Sequence, residues 1–372
     1  MQGLIGKDQF IGLDAVAHLG TGGEPPVLRS HIGAAAEFLF DKGCGMPGRD
    51  RMAAVADRAK LGLSRHLNGR PDDIAFLNHA AEGIFVAATG IDWRPGDNVV
   101  TAGGEYPSVV HGWRVLDDKG VEVKTFGSAI VPTIDELRAA VNRRTRVIAA
   151  SHVSYLTGMR YDLAALREIA DTVGARVVID ASHSLGVVPV DGSLCDAVVS
   201  CCYKYLLGTH GVGVFYLNSR RWPDLRPPAI GWHSIERQDD WRSQRGGCTL
   251  KTSAERFEIG NPSYISAYIL DNALTAMAPL AIADIERHVL ALGGMLRDGL
   301  AKLRLDVLTP ATERERAGNV AFATDRSEPL EAALCKAGVI TWSGGGRLRL
   351  SVHAFNDDAD VGRAVSELEK LA

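Results

Sequence analysis

The sequence predicts an α/β fold, a mostly parallel sheet with helices on both faces, followed by a smaller α+β unit. Three observations carry this. Short apolar runs alternate with helical stretches between residues 98 and 217. The runs have the character of buried strands, which a mostly parallel sheet requires. Leu163, Leu166, Ile169, Ala170 and Val173 repeat at helical spacing, and Gly174 follows where a helix C-terminus favours glycine.

Taken in order, 98–103 is expected as a strand, 108–119 as a helix, 121–126 as a strand, 133–142 as a helix and 146–151 as a strand. After the helix closed by Gly174 come strands at 176–180, 196–200 and 213–217. Residues 219–262 lose periodicity and are rich in Arg, Trp, Pro, Gly and Ser. A stretch this long without clear elements is usually functional or poorly ordered. Helical pattern returns at 264–278 and 284–304. A strand near 318–324, a helix at 328–337, a strand near 346–352 and a helix at 357–371 complete the small unit. The expected division is a large domain, 15–278, and a small domain built from 1–14 and 279–372, with the boundary near Pro279.

Composition narrows the function. The 372 residues are 46% hydrophobic and 23% charged, enough for a sizeable core and against long disorder. A net charge of -4 gives no reason to expect a nucleic-acid or membrane-surface partner. No apolar run reaches the roughly 18 residues of a membrane span. The six cysteines have no paired framework or CxxC spacing, which points to a reduced, cytoplasmic setting. The 11 histidines show no metal-ligand spacing, so no metal site is expected. Gly43 to Gly48 fits GxGxxG but follows a helical stretch rather than a strand, so the dinucleotide reading fails.

Two runs carry chemistry. Arg176 to Asp180 delivers an acid to the end of a strand, and Asp196 to Lys204 delivers an amine past the end of the next. In an open α/β sheet, ligands bind outside the carboxyl ends of the strands. There, an acid able to hold a ring nitrogen protonated and an amine able to link to an aldehyde are what pyridoxal 5'-phosphate (PLP) chemistry needs. Burial disfavours the charged form of an amine and prepares it as a nucleophile.

The segments Val178 to Gly186 and Ser200 to Gly208 resemble the class V aminotransferase family, the PLP fold-type I group that includes cysteine desulfurases, kynureninase and isopenicillin N epimerase. The resemblance runs from about His18 to the C-terminus. It implies a large domain with a seven-stranded sheet and a small C-terminal domain. Asp180 matches the acid that pairs with the pyridine nitrogen, His183 a residue contacting the ring hydroxyl, and Lys204 the lysine that carries the cofactor. Asn78, His79, Ala80 and Ala81 match the turn that opens a helix under the phosphate, although Ala80 and Ala81 stand where hydroxyl residues are common. Tyr106 matches the ring that stacks on the pyridine, and Ser154 lies in a cofactor- and substrate-facing loop. Cys201 and Tyr203 match phosphate-contacting positions, and Arg349 matches the arginine that binds the substrate carboxylate. Asn261 falls in the segment that reaches into the neighbouring subunit, which implies a homodimer with shared active sites.

The resemblance leaves the reaction open between aminotransferase, lyase (including a C–S lyase without a catalytic Cys) and epimerase, with a PLP-binding regulatory protein as the non-enzyme alternative. Desulfurases need a cysteine on the loop before the arginine strand. Here Gly338 to Gly346 has none, and Cys335 falls in an expected helix. Trp232, His233, Trp241 and Arg245 suggest either a pocket for an aromatic or extended substrate or a subunit-interface loop.

Overall fold

The structure is a computed structural model that describes residues 1–127, 131–238 and 246–371. Its centre is a seven-stranded sheet: β1 (Ile74–Leu77), β2 (Asn98–Ala102), β3 (Glu122–Phe126), β4 (Thr145–Ser151), β5 (Arg176–Asp180), β6 (Ala197–Cys201) and β7 (Gly213–Leu217). The spatial order is β1-β7-β6-β5-β4-β2-β3. Only β7 runs against the others, pairing antiparallel with both β1 and β6. The remaining six therefore point their carboxyl ends to one edge. Every residue of β1, β2, β6 and β7 is buried, because helices cover both faces.

Two apolar clusters sandwich this sheet. Ile148, Val177, Ile179 and Val198 face one of them; Val147, Ala149, Val178 and Val199 face the other. This is the period-two alternation of a strand. Helices α1 (His31–Gly43), α2 (Gly45–His66) and the Tyr264–Met277 helix pack together beside the sheet. The GxGxxG stretch spans the α1–α2 junction, with Gly48 pressed on the Asp41 backbone.

A second sheet collects β8 (Asp306–Val307), β9 (Asn319–Ala323), β10 (Trp342–Ser343) and β11 (Arg347–Ser351) in the antiparallel order β8-β9-β11-β10. Its core cluster includes Val320, Phe322, Leu348 and Leu350 together with Ile5, Phe10, Leu19 and Leu28 from the chain start. The N-terminal segment thus packs on the C-terminal unit; Ser351 N donates to Leu19 O.

Most expected elements are present within a residue or two. The 108–119 helix is not continuous. It breaks into Pro107–His111 and a 3-10 turn, Arg114–Lys119, ended by Gly120 at φ 69°. The tighter turn drives Trp113 and Leu116 fully into the core. Residues 219–262, expected to lack regular elements, contain a short antiparallel pair, Ile235–Gln238 with Cys248–Leu250. Trp241 and Arg245 lie outside the described residues. Among the described residues no single helix is long and apolar enough to cross a membrane.

Candidate active site

Strand register builds the crevice. Asp180 ends β5 beside Ser151 of β4 on one side and Val199 of β6 on the other. The chain then turns away from the sheet, and Ala181 N keeps a 2.8 Å bond to Val199 O. β6 ends at Cys201, and the next turn sets Lys204 over the same edge. A cavity of about 160 Å³ opens there, lined among others by Asp180, Ser182, His183, Cys201, Tyr203 and Lys204.

Lys204 Nζ lies 3.2 Å from His183 Nε2, and both residues are buried. The tautomer of His183 follows from its other neighbour. Tyr205 and Ser351 hydroxyls both donate to Asn319 Oδ1, Ser351 at 2.8 Å. The amide is thereby oriented with Nδ2 toward His183 Nδ1, at 2.9 Å. His183 Nδ1 accepts, so the ring proton sits on Nε2 and faces the crevice. Burial first, then the Lys204 and Arg349 charges, hold the imidazole pKa well below its ordinary value, against the Asn319 bond. His183 therefore presents a neutral ring with its Nε2 edge facing the crevice.

Two carboxyl groups lie behind this pair. Asp180 Oδ1 accepts from Ser182 N at 2.8 Å. Burial raises its pKa, while the Ser182 bonds and the Lys204 charge pull the other way. Such an acid is short of a cation, and a protonated ring nitrogen supplies one. Glu105 accepts from Ser151 N at 2.8 Å and also from Ser151 Oγ, which ties the β2–helix turn to the end of β4. Burial pushes its carboxyl up to about 7, with Asp180 contributing in the same direction.

The opposite wall is an anion seat. Helix α3 (Ala80–Thr89) begins at the cavity, with His79, Ala80 and Ala81 lining it. The first N–H groups of a helix have no intrahelical partners, and the helix dipole favours a negative group there. His79 Nδ1 caps Glu82 N at 3.1 Å, which leaves the earlier donors for a ligand. β7 starts hard against this turn: a Cβ on Gly213 would lie 2.4 Å from the His79 carbonyl carbon, so only glycine fits. Cys201 lines the cavity, and its backbone N donates to Ser182 Oγ at 3.1 Å. Tyr203 stacks on His210 at 3.9 Å, with the Lys204 ammonium 5.7 Å from its ring centroid. Tyr106, at the mouth, sits 5.5 Å from the same ammonium and meets Tyr155 edge-on at 5.2 Å.

Behind Tyr155, off the cavity lining itself, stands the small sheet. Arg349 on β11 is buried, stacks on Trp342 at 4.6 Å, and donates through Nη1 to Tyr155 O at 2.8 Å. Its Nε has no partner among the described residues. Burial lowers its pKa to about 10, and the Arg347 charge adds to that. Gly22 covers the guanidinium so closely that a Cβ there would lie 3.2 Å from Arg349 Cζ.

Several expected site residues lie elsewhere. Asn78 donates to Glu82 and does not line the cavity. The Ser154 hydroxyl accepts from Leu156 N and Thr157 N inside its own turn and is also off the lining. Asn261, expected to serve the neighbouring subunit's site, lies on the surface bonded to Arg49 and Tyr264. Trp232 is exposed under Arg49, and His233 faces Glu258, so neither forms a substrate wall of this chain's cavity. Asn319, Ser182, Glu105 and Trp342 were not singled out from the sequence. No local pattern marks Asn319, because its contacts with His183, Tyr205 and Ser351 all span more than 30 positions.

An acid under a ring position, a buried amine beside a neutral histidine, an aromatic lid, a helix N-terminus and a buried arginine fit PLP with an amino acid on it. The fold and site define a fold-type I PLP enzyme. Residues 49–361 match the family model for aminotransferase class V, and the chain belongs to that family. It is 26% identical over 322 residues to an uncharacterised aminotransferase of Schizosaccharomyces pombe, covering 85% of this chain and 81% of that one. It is 25% identical to isopenicillin N epimerase of Amycolatopsis lactamdurans, covering 84% of each. Among solved structures, the apo cysteine desulfurase of Thermococcus onnurineus superposes with a TM-score of 0.88 at 21% identity, covering 98% of this chain and 96% of that one. The last likeness is one of fold.

Proposed function

We propose that this protein acts at the α-carbon of an amino acid as an aminotransferase or lyase, without sulfur transfer through a catalytic cysteine. The observation that carries this is the turn before β11: residues 338–346 hold no cysteine, and Cys335 is exposed on the Ser327–Lys336 helix. When bound, PLP supplies an electron sink for a carbanion at the α-carbon.

The chain's residues then divide the work. Lys204 would hold the cofactor and move the α-proton. Asp180 would keep the ring nitrogen protonated, and His183 would hydrogen-bond the ring oxygen. Tyr106 would cover the ring. Ala80, Ala81, Cys201 and Tyr203 would hold the phosphate, with backbone N–H groups at the start of α3 doing most of the binding. Arg349 would orient the substrate carboxylate. Product analysis with a panel of amino acids tests the reading. Keto acid with the amine form of the cofactor marks transamination, keto acid with ammonia marks elimination, and loss of chirality alone marks an epimerase. Persulfide formation from cysteine would overturn the proposal.

A homodimer with shared sites is part of the proposal. Ile32, Leu39, Phe40 and Met46 expose apolar side chains on α1 and α2, and Arg49 links α2 to Trp232 and Asn261. Apolar patches of this kind mark association surfaces. A monomeric mass in solution would exclude it. A cytoplasmic setting suits the six free thiols.

A further inference from the structure

β11 carries a second buried guanidinium that the proposed chemistry does not use. Arg347 is 6% exposed and lies 5.1 Å from the ring centroids of both Tyr155 and Trp342. Arg349 shares Trp342 with it, so the two arginines occupy one face of the strand. Neither pairs with a carboxylate among the described residues, and the Nε of each is buried without a partner. The Arg347 guanidinium otherwise makes a long 3.5 Å contact to Gly345 O and a side-chain hydrogen bond with Tyr155, neither of which carries a full counter-charge. Two buried like charges with no counter-charge are costly unless an anion joins them. One α-carboxylate neutralises only one of them.

Resting on the PLP reading above, we propose that the substrate is a short dicarboxylic amino acid, with its α-carboxylate on Arg349 and its side-chain carboxylate on Arg347. Residues two apart on a strand are separated by roughly 6–7 Å, close enough for two arginine side chains to hold the two carboxylates of one short diacid. Tyr155, which lines the cavity, lies between the cofactor crevice and Arg347. Both guanidiniums lie against the Trp342 ring. The glycine turn Gly344–Gly345–Gly346, at φ 156°, 58° and 73°, folds back against Trp342 and Arg347 where desulfurases carry their cysteine loop.

The test is an absorbance titration of the yellow holoprotein with L-glutamate, L-aspartate and their amides L-glutamine and L-asparagine. A charge-assisted pair on Arg347 makes at least one acid bind about ten-fold or more tighter than its amide. Arg347→Met collapses that preference toward unity, and Arg347→Lys restores part of it. The wild-type comparison stands even if Arg347→Met fails to fold. Equal affinity for acids and amides, or tighter binding of aromatic amino acids than of either acid, overturns the proposal. Absence of any borohydride-trappable cofactor sinks the PLP reading instead, so the two failures are distinct.

Discussion

Arg349→Lys separates carboxylate recognition from cofactor binding. The wild-type guanidinium spends Nη1 on Tyr155 O, and its Nε has no partner among the described residues. A planar fork in that position can grip a carboxylate by two parallel bonds. Lysine keeps the charge but makes a point contact and cannot stack its head group on Trp342 as a plane. The loss is therefore about one charge-assisted hydrogen bond, roughly 1.5–3 kcal/mol, or about 10- to 150-fold in apparent Kd. The assay is titration of the cofactor absorbance with amino acid, with cofactor content checked by borohydride trapping. Retained colour with a strongly weakened titration is expected. An unchanged midpoint would refute the reasoning and move the carboxylate site elsewhere.

Further outcomes follow from the same geometry. Lys204→Ala should abolish borohydride-trappable cofactor, measured by mass spectrometry; a trapped adduct in the variant would contradict the assignment. Asp180→Ala should retain bound cofactor but lose turnover by orders of magnitude, and near-normal turnover would exclude the ring-nitrogen role. Asn319→Ala should cost about 3 kcal/mol in urea unfolding, because Tyr205, Ser351 and His183 each lose a buried partner; it should also shift the pH profile, since His183 is no longer held in one tautomer. Burial holds His353 at about 4 and His152 at about 3, below the ordinary 6.5. The unfolded chain binds these protons first, so stability is complete above about pH 6.5 and falls toward pH 4, by about 1–3 kcal/mol per histidine. A flat unfolding free energy across that window would show that these rings are not buried neutral.

Much of the large sheet was legible because buried parallel strands are continuous apolar runs, as in Val177-Val178-Ile179 and Ala197-Val198-Val199. The break after His111 was not, since it depends on Trp113 finding the core rather than on local propensity. Asp180, His183 and Lys204 were legible because their motif is local. Asn78 and Ser154 were placed at the site by position in a motif, whereas their side chains are engaged by neighbours in their own turns.

What sequence alone settled was the fold class and the acid–histidine–lysine segment, because strand ends and their loops are neighbours along the chain. What only the tertiary structure decided was how charge and protons are arranged around that segment. Asn319 reaches His183 from the small sheet, Gly22 covers Arg349 from the N-terminal segment, and Arg347 lines up beside Arg349 with no acid to meet it among the described residues. Those contacts join residues more than 100 positions apart, or depend on the absence of a partner, and neither leaves a local pattern to find.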